Sequence, residues 1–279
     1  MSKPRRVRVL RAPSFSPLGL ISSLLTLAQY RDLLVTLTLH RIRVRYKQSV
    51  LGIAWAILQP LSLMLIYTLI FSFIAKVQTD GAPYAIFAYA ALLPWTYFST
   101  AVANATNSLV SHSELVTKVY FPREILPLSY VIAALCDFLI ASSVMVGLLI
   151  YYHVSLTANA LYAVPIIFVL TLFIIATTLI LSATQVRFRD IGVAVPLLLQ
   201  LWMFATPVVY PLSAVPERFR PLYVLNPMVG TIENFRRTVL QGVAPDFYTL
   251  GLSAAVAVLL LVVAYVYFKH VEATVADLV

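Results

Sequence analysis

Six long apolar runs constrain this chain more than any other feature. They cover approximately 50–75, 84–110, 128–152, 160–184, 191–210 and 249–268, each bounded by charge or by Pro, Gly and Asn. Crossing the ~30 Å hydrocarbon core of a bilayer takes about 20 apolar residues in a helix, which is the length of these runs. A water-soluble fold is excluded by the balance behind them: 61% of residues are hydrophobic and 11% charged, against roughly 45–50% and about 25% in soluble domains. The expectation is an all-α integral membrane protein with six transmembrane helices over 50–268, a basic N-terminal segment 1–49 and a tail 269–279. A signal peptide is not expected, because the first long apolar run begins only near Val50.

Charge is distributed as unevenly as hydrophobicity. Residues 1–49 hold ten Lys and Arg (Lys3, Arg5, Arg6, Arg8, Arg11, Arg31, Arg41, Arg43, Arg45, Lys47) against Asp32, a net +9, and the other 230 residues hold ten basic and ten acidic groups. With the N-terminus in the cytoplasm, fifteen basic residues fall inside and five (Lys76, Arg218, Arg220, Arg236, Arg237) outside. The positive-inside rule therefore favours cytoplasmic N- and C-termini. Membrane lipid, not nucleic acid, is the expected polyanion, since no nucleic-acid motif accompanies the charge. Leu24, Leu27, Leu34 and Leu37 suggest an interfacial helix over 20–48, whereas 41–46 alternates with a period of two; topology signalling alone would also explain the basic residues.

Three segments outside the runs carry local signals. Between runs two and three, Ser111 and Glu114 have the spacing of a capping box, Glu114 and Lys118 are an i,i+4 pair, and Pro122 ends the helix. They predict a short helix over about 112–121 with Leu115 and Val119 on one stripe, built to dock into a partner or against its own membrane domain. In the proline-rich segment 211–248, Asn226-Pro227 reads as an N-cap and Gly242 as a stop. Met228, Ile232, Phe235 and Val239 then form the apolar stripe of an amphipathic helix, with Glu233, Arg236 and Arg237 on its surface, as in a lid or re-entrant element. Asp137, inside the third run, needs a partner, a water-filled cavity or a proton, and is a functional or a structural residue accordingly.

Aromatic residues gather in the first two runs: Trp55, Tyr67, Phe71, Tyr89, Trp95, Tyr97 and Phe98 among them. Interfacial belts explain many such rings; rings also stack on the apolar faces of sugars, so these and Asp137 are candidate path-lining residues. No pair among the eight glycines has Walker-loop spacing, so ATP chemistry would need another polypeptide. One cysteine, Cys136, and four scattered histidines form no metal cluster in sequence.

The stretches Arg45–Trp55, Leu92–Trp95, Arg187–Asp190 and Ala205–Pro211, and above all Lys118-Val119-Tyr120-Phe121-Pro122-Arg123-Glu124-Ile125-Leu126-Pro127, resemble the permease subunits of bacterial ABC exporters for polysaccharide and polyol phosphate, which serve O-antigen, capsule and teichoic acid export. The resemblance runs from about residue 30 to 270. It implies a type-two ABC export permease fold, a homodimer docked to two copies of a separate ABC ATPase subunit that carries ATP and Mg, and a place in the bacterial inner membrane. It also implies an N-terminal interface helix, a coupling helix between spans two and three and external re-entrant helices between spans five and six. The cargo would be a polymer on a lipid, in many members an undecaprenyl diphosphate. Arg41, Arg43, Arg45 and Lys47 would meet the lipid diphosphate. Glu114, Leu115, Lys118, Val119, Tyr120, Arg123 and Glu124 would couple to the ATPase, and Met228, Ile232 and Phe235 would form an external gate. This chain would bind no cofactor and catalyse no reaction. A polytopic membrane enzyme acting on lipid-linked glycans and an ion-coupled carrier are the alternatives; the first needs an acidic or His/Asp cluster, the second several charged intramembrane groups, and Asp137 stands alone in its run.

Overall fold

The computed structural model describes residues 28–47, 49–76, 79 and 81–278, with side chains as far as Glu272. The basic residues Lys3 to Arg11 and the leucines Leu24 and Leu27 lie outside the described residues. The described residues form ten α-helices: α1 (Arg31–Lys47), α2 (Trp55–Tyr67), α3 (Tyr84–Thr106), α4 (Ser113–Lys118), α5 (Ile125–Tyr151), α6 (Ala163–Arg187), α7 (Ile191–Phe204), α8 (Arg220–Val224), α9 (Pro227–Val239) and α10 (Phe247–Leu278). No strand occurs among the described residues.

Among the described residues, five helical stretches are long and apolar enough to cross a membrane: Gly52–Ile74, Tyr84–Thr106, Ile125–Tyr151, Ala158–Arg187 and Phe247–Glu272. They match five of the six expected runs. The fifth run differs, because α7 has 14 residues, about 21 Å at ~1.5 Å per residue, short of the ~30 Å needed. Beyond Phe204 the chain turns through 205–210, where Pro207 has no N–H to continue the ladder, although Pro94 and Pro196 are tolerated inside helices.

Helix α3 is the axis of the bundle. Its buried faces are apolar, and Ala88, Ala90, Ala91, Ala101 and Ala105 are all fully buried, small enough to let neighbouring backbones approach closely. Ile86, Leu92, Phe98, Ile166, Leu170, Met228 and Ile232 join it in one core shared with α5, α6 and α9. Helices α2, with its π-helical continuation Thr68–Ile74, α7 and α10 lie at the periphery, with Leu65, Leu69, Phe73, Val193, Leu197, Leu259 and Val263 exposed, as a lipid-facing or subunit-facing surface requires.

The N-terminal segment resolves its ambiguous pattern as helix. An α-helical period sets Arg41 and Arg45, four residues apart, on one face, and both are held by α5. An extended segment would have grouped Arg41, Arg43 and Arg45 instead. Leu33, Leu34 and Leu37 pack against the smaller core formed by α5, α6 and α10.

Candidate functional site

A cavity of about 590 Å³ lies between α2, α3, α5 and α7. Trp55, Tyr67, Trp95 and Tyr97 give it aromatic walls, and Gln59, Thr96, Ser99, Thr100, Asn104 and Gln200 add hydroxyls and amides. Rings and amides together suit a ligand with apolar C–H faces and many hydroxyls. Arg45, Tyr46 and Asp137 line the wall beside α1. The guanidinium of Arg45 pairs with Asp137 Oδ2, and the Tyr46 hydroxyl donates to Asp137 Oδ1 at 2.6 Å. Burial and then the Asp137 bond push the Tyr46 phenol up to about 12, so it stays a donor at neutral pH. The acid in the third run is therefore paired, by a helix outside the six runs.

Arg41 is committed elsewhere. Its Nε donates to Ser129 Oγ at 2.7 Å and its guanidinium lies 3.5 Å over the Tyr130 ring. The same guanidinium reaches His112 Nε2 at 3.5 Å. Since His112 Nδ1 sits 3.0 Å from the Ser108 carbonyl, the bonding assigns a neutral ring with its proton on Nδ1. Burial first, then the Arg41 charge, hold His112 below its ordinary value. Of the four basic residues expected to face a lipid phosphate, only Arg43 and Lys47 are exposed without such an engagement in α1; Arg41 and Arg45 are turned onto α5.

The loop after α3 differs from its expected form. Helix α4 has six residues, not about ten, and its N-cap His112 makes no side-chain cap bond. Ser111 Oγ donates to the Asn107 carbonyl at 2.8 Å instead, so no capping box forms. The helix stops before Val119, which is extended at φ −126° and ψ 135°, two residues before Phe121, the residue that Pro122 keeps out of the helix. Val116 is the residue that anchors it, with Leu115 packed beside it. Glu114 and Lys118 pair at 3.2 Å as expected, and Val119 and Tyr120 project outward, Tyr120 at 73% exposure.

Arg123 and Glu124 turn the other way. Glu124 is 2% exposed and pairs with Lys269 at 2.8 Å, which also binds Glu272 at 2.8 Å. The Arg123 backbone N–H donates to Glu272 Oε1 at 3.0 Å. Burial, then Glu272, raise the Glu124 carboxyl, with Lys269 opposing them. These two residues fasten the loop to α10, and Glu124 has no surface to offer a partner protein.

At the other end of the bundle, Asn226 caps α9 through Oδ1, which accepts from Met228 N at 3.1 Å, and Gly242 takes φ +66° after it. The stripe Met228, Ile232, Phe235, Val239 is buried as expected. Met228, Ile232 and Phe235 belong to the central core and not to the cavity wall, where they anchor α9. Arg236 was expected on the surface and is 2% exposed. It pairs with Glu233 at 3.0 Å, donates to the Pro207 carbonyl at 2.8 Å and to those of Phe87 and Val208, and lies 3.7 Å over the Phe87 ring. Gly230 is needed where α9 crosses α10, since a Cβ there would stand 2.1 Å from Ser253 Oγ and 2.8 Å from the Thr249 carbonyl.

The family model described as ABC-2 type transporter matches residues 32–240, three quarters of the chain, from α1 through α9. The chain belongs to the ABC-2 type transporter family. This ABC-2 chain is 36% identical over 237 residues to the O-antigen export system permease protein RfbA of Myxococcus xanthus, covering 84% of this chain and 90% of that one. It is 33% identical over 161 residues to a protein of the same description from Klebsiella pneumoniae, covering 57% of this chain and 61% of the relative. It is thus a multi-pass membrane transporter subunit.

Of the path-lining candidates in this ABC-2 chain, the structure brings Trp55, Tyr67, Trp95, Tyr97 and Asp137 to one cavity. Tyr89 and Phe98 are corrected: both are fully buried, Tyr89 bonding the Ala141 carbonyl at 2.8 Å and Phe98 stacking on Phe173. Phe71 stacks on Tyr84 in a separate small cluster. Sequence reasoning missed the amides Gln59, Asn104 and Gln200; each is a polar residue inside or bordering an apolar run, and that exception to the run was the available signal.

Proposed function

We propose that this chain is the transmembrane subunit of an ATP-driven exporter that carries a lipid-linked, O-antigen-type polysaccharide out of the cytoplasm across the bacterial inner membrane. One observation carries the reading: in a chain alike over most of its length to permeases named for O-antigen export, the cavity is walled by rings and amides with a paired cation at one end. Indole and phenol rings stack on sugar C–H faces, amides bond hydroxyls, and a guanidinium binds phosphate. Two copies of this chain would meet across the peripheral apolar face of α2 and α7, closing the cavity into a path. Helix α7 would complete six spans with the turns after Phe204, leaving both termini cytoplasmic, in keeping with the basic N-terminal segment.

Force would arrive from two copies of an ABC ATPase subunit that holds ATP and Mg. The exposed edge of α4 and the loop after it, Glu114, Lys118, Val119 and Tyr120, supports this as the contact, with Leu115, Arg123 and Glu124 holding the loop to the bundle. Arg43 and Lys47 would attract anionic headgroups, leaving the cavity wall to Arg45. Deleting the gene tests the reading: one surface polysaccharide should disappear while its lipid-linked form accumulates inside, and an unchanged surface glycan profile would overturn it.

A further inference from the structure

Arg45 and Asp137 are the charged residues on the cavity wall, and they neutralise each other. Asp137 lies twelve residues beyond Ile125 along α5, about 18 Å at ~1.5 Å per residue, so the pair stands well inside the helix. Its side chains keep 33% and 16% of their surface, respectively, enough for a ligand in the cavity to reach them. Arg41 is bound to Ser129 and stacked on Tyr130, and Arg43 and Lys47 are exposed away from the cavity lining. Any phosphate that enters therefore meets one guanidinium already holding a carboxylate.

We propose that Asp137 is a specificity residue: it masks Arg45 from the singly charged phosphodiester headgroups of bulk phospholipid and yields it to a polyanionic diphosphate. The inference rests on the export reading above. In a bilayer, phosphodiester headgroups far outnumber any carrier lipid, and a bare guanidinium at the cavity would be occupied by them. A phosphodiester brings one negative charge, the same as Asp137. Exchange would gain no charge and would leave a carboxylate without its cation in an apolar wall, which opposes it. A diphosphate brings two or more charges and several oxygens in the bidentate geometry that a guanidinium prefers. Tyr46 donates to Asp137 Oδ1, a second donor that would stay available to the carboxylate when Arg45 leaves.

The test is equilibrium binding of radiolabelled farnesyl diphosphate to the full chain in nanodiscs of phosphatidylcholine, with and without phosphatidylglycerol. In the unmodified protein, phosphatidylglycerol should weaken binding little; in Asp137→Asn, which keeps the side chain's shape and removes its charge, it should weaken binding by about tenfold more, ~1.4 kcal/mol. Asp137→Ser serves the same purpose if the asparagine variant does not fold, and Asp137→Glu should restore the unmodified behaviour, which a merely structural role for the residue would not require. Equal sensitivity to phosphatidylglycerol with and without the Asp137 charge would overturn the proposal and leave the export reading standing. No binding of farnesyl diphosphate to the unmodified chain would also overturn the proposal. Given the expected contrast, displacement by inorganic pyrophosphate at equal concentration would support the mask with a free anion as ligand; resistance to a large excess would support it with a lipid headgroup.

Discussion

Replacing Arg236 by methionine removes the cation that ties α9 to α3 and to the turn after α7. Methionine fills much of the same volume, so the perturbation is chemical: Glu233 loses the Arg236 guanidinium, and the carbonyls of Phe87, Pro207 and Val208 lose this donor in a site where Arg236 is 2% exposed. Three charged hydrogen bonds at ~1.5–3 kcal/mol each cannot simply be summed, because one group makes them all and the vacated carbonyls relax. Removing one partner of a buried pair costs about 3–5 kcal/mol, and Glu233, which keeps 27% of its side-chain surface, recovers some hydration, which favours the lower half of that range. At ~2 °C per kcal/mol for a chain of this size, the detergent-solubilised protein should melt about 6–10 °C lower, nearer 6 °C. Arg236→Lys keeps the charge and loses the planar fork, so it should fall between the two. Thermal melts followed by tryptophan fluorescence decide the matter. An Arg236→Met midpoint within scatter of the unmodified protein would refute the claim that this residue secures the outer element.

Lys269→Met should be similarly severe, about 3–5 kcal/mol, because it leaves Glu124 and Glu272 facing each other with the first of them fully buried; adding Glu124→Gln should recover part of the loss in the same melts. His112 predicts a pH dependence. Its folded value is depressed by burial and by Arg41, so the stability it contributes is present above the unfolded value of about 6.5 and is lost as pH falls through the folded one; melts between about pH 7.5 and about pH 5 should show this slope, flattened in His112→Gln. A cysteine at the exposed Tyr120 should crosslink to the ATPase subunit, whereas one at the buried Glu124 should not; the reverse pattern would remove α4 and its loop as the contact.

The membrane fold was legible in the sequence because run length and the bilayer's thickness measure the same thing, and five runs became five long helices. The fifth run is longer than its helix because composition counts 205–210 as part of an apolar stretch, whereas the backbone turns after Phe204. Caps and stripes located α9 within a residue or two, yet not the burial of Arg236: a stripe fixes which face is apolar, not how many neighbours enclose the opposite one. The Ser111–Glu114 spacing fits a capping box equally well when Ser111 bonds backward to Asn107, and only the preceding helix decides between them. The pairing of Arg45 with Asp137 spans 92 residues of sequence. A long-range ion pair leaves no periodic trace, and the two residues were visible separately as a basic helix end and a lone acid.

The central claim is that this chain conducts polymer and draws its driving force from another protein. It is tested most directly by reconstituting the purified chain into proteoliposomes with its lipid-linked cargo, with and without the ATPase subunit and MgATP. Translocation that appears only when the ATPase and MgATP are both present is the predicted result. Translocation of the cargo by this chain alone, at a comparable rate, would contradict it.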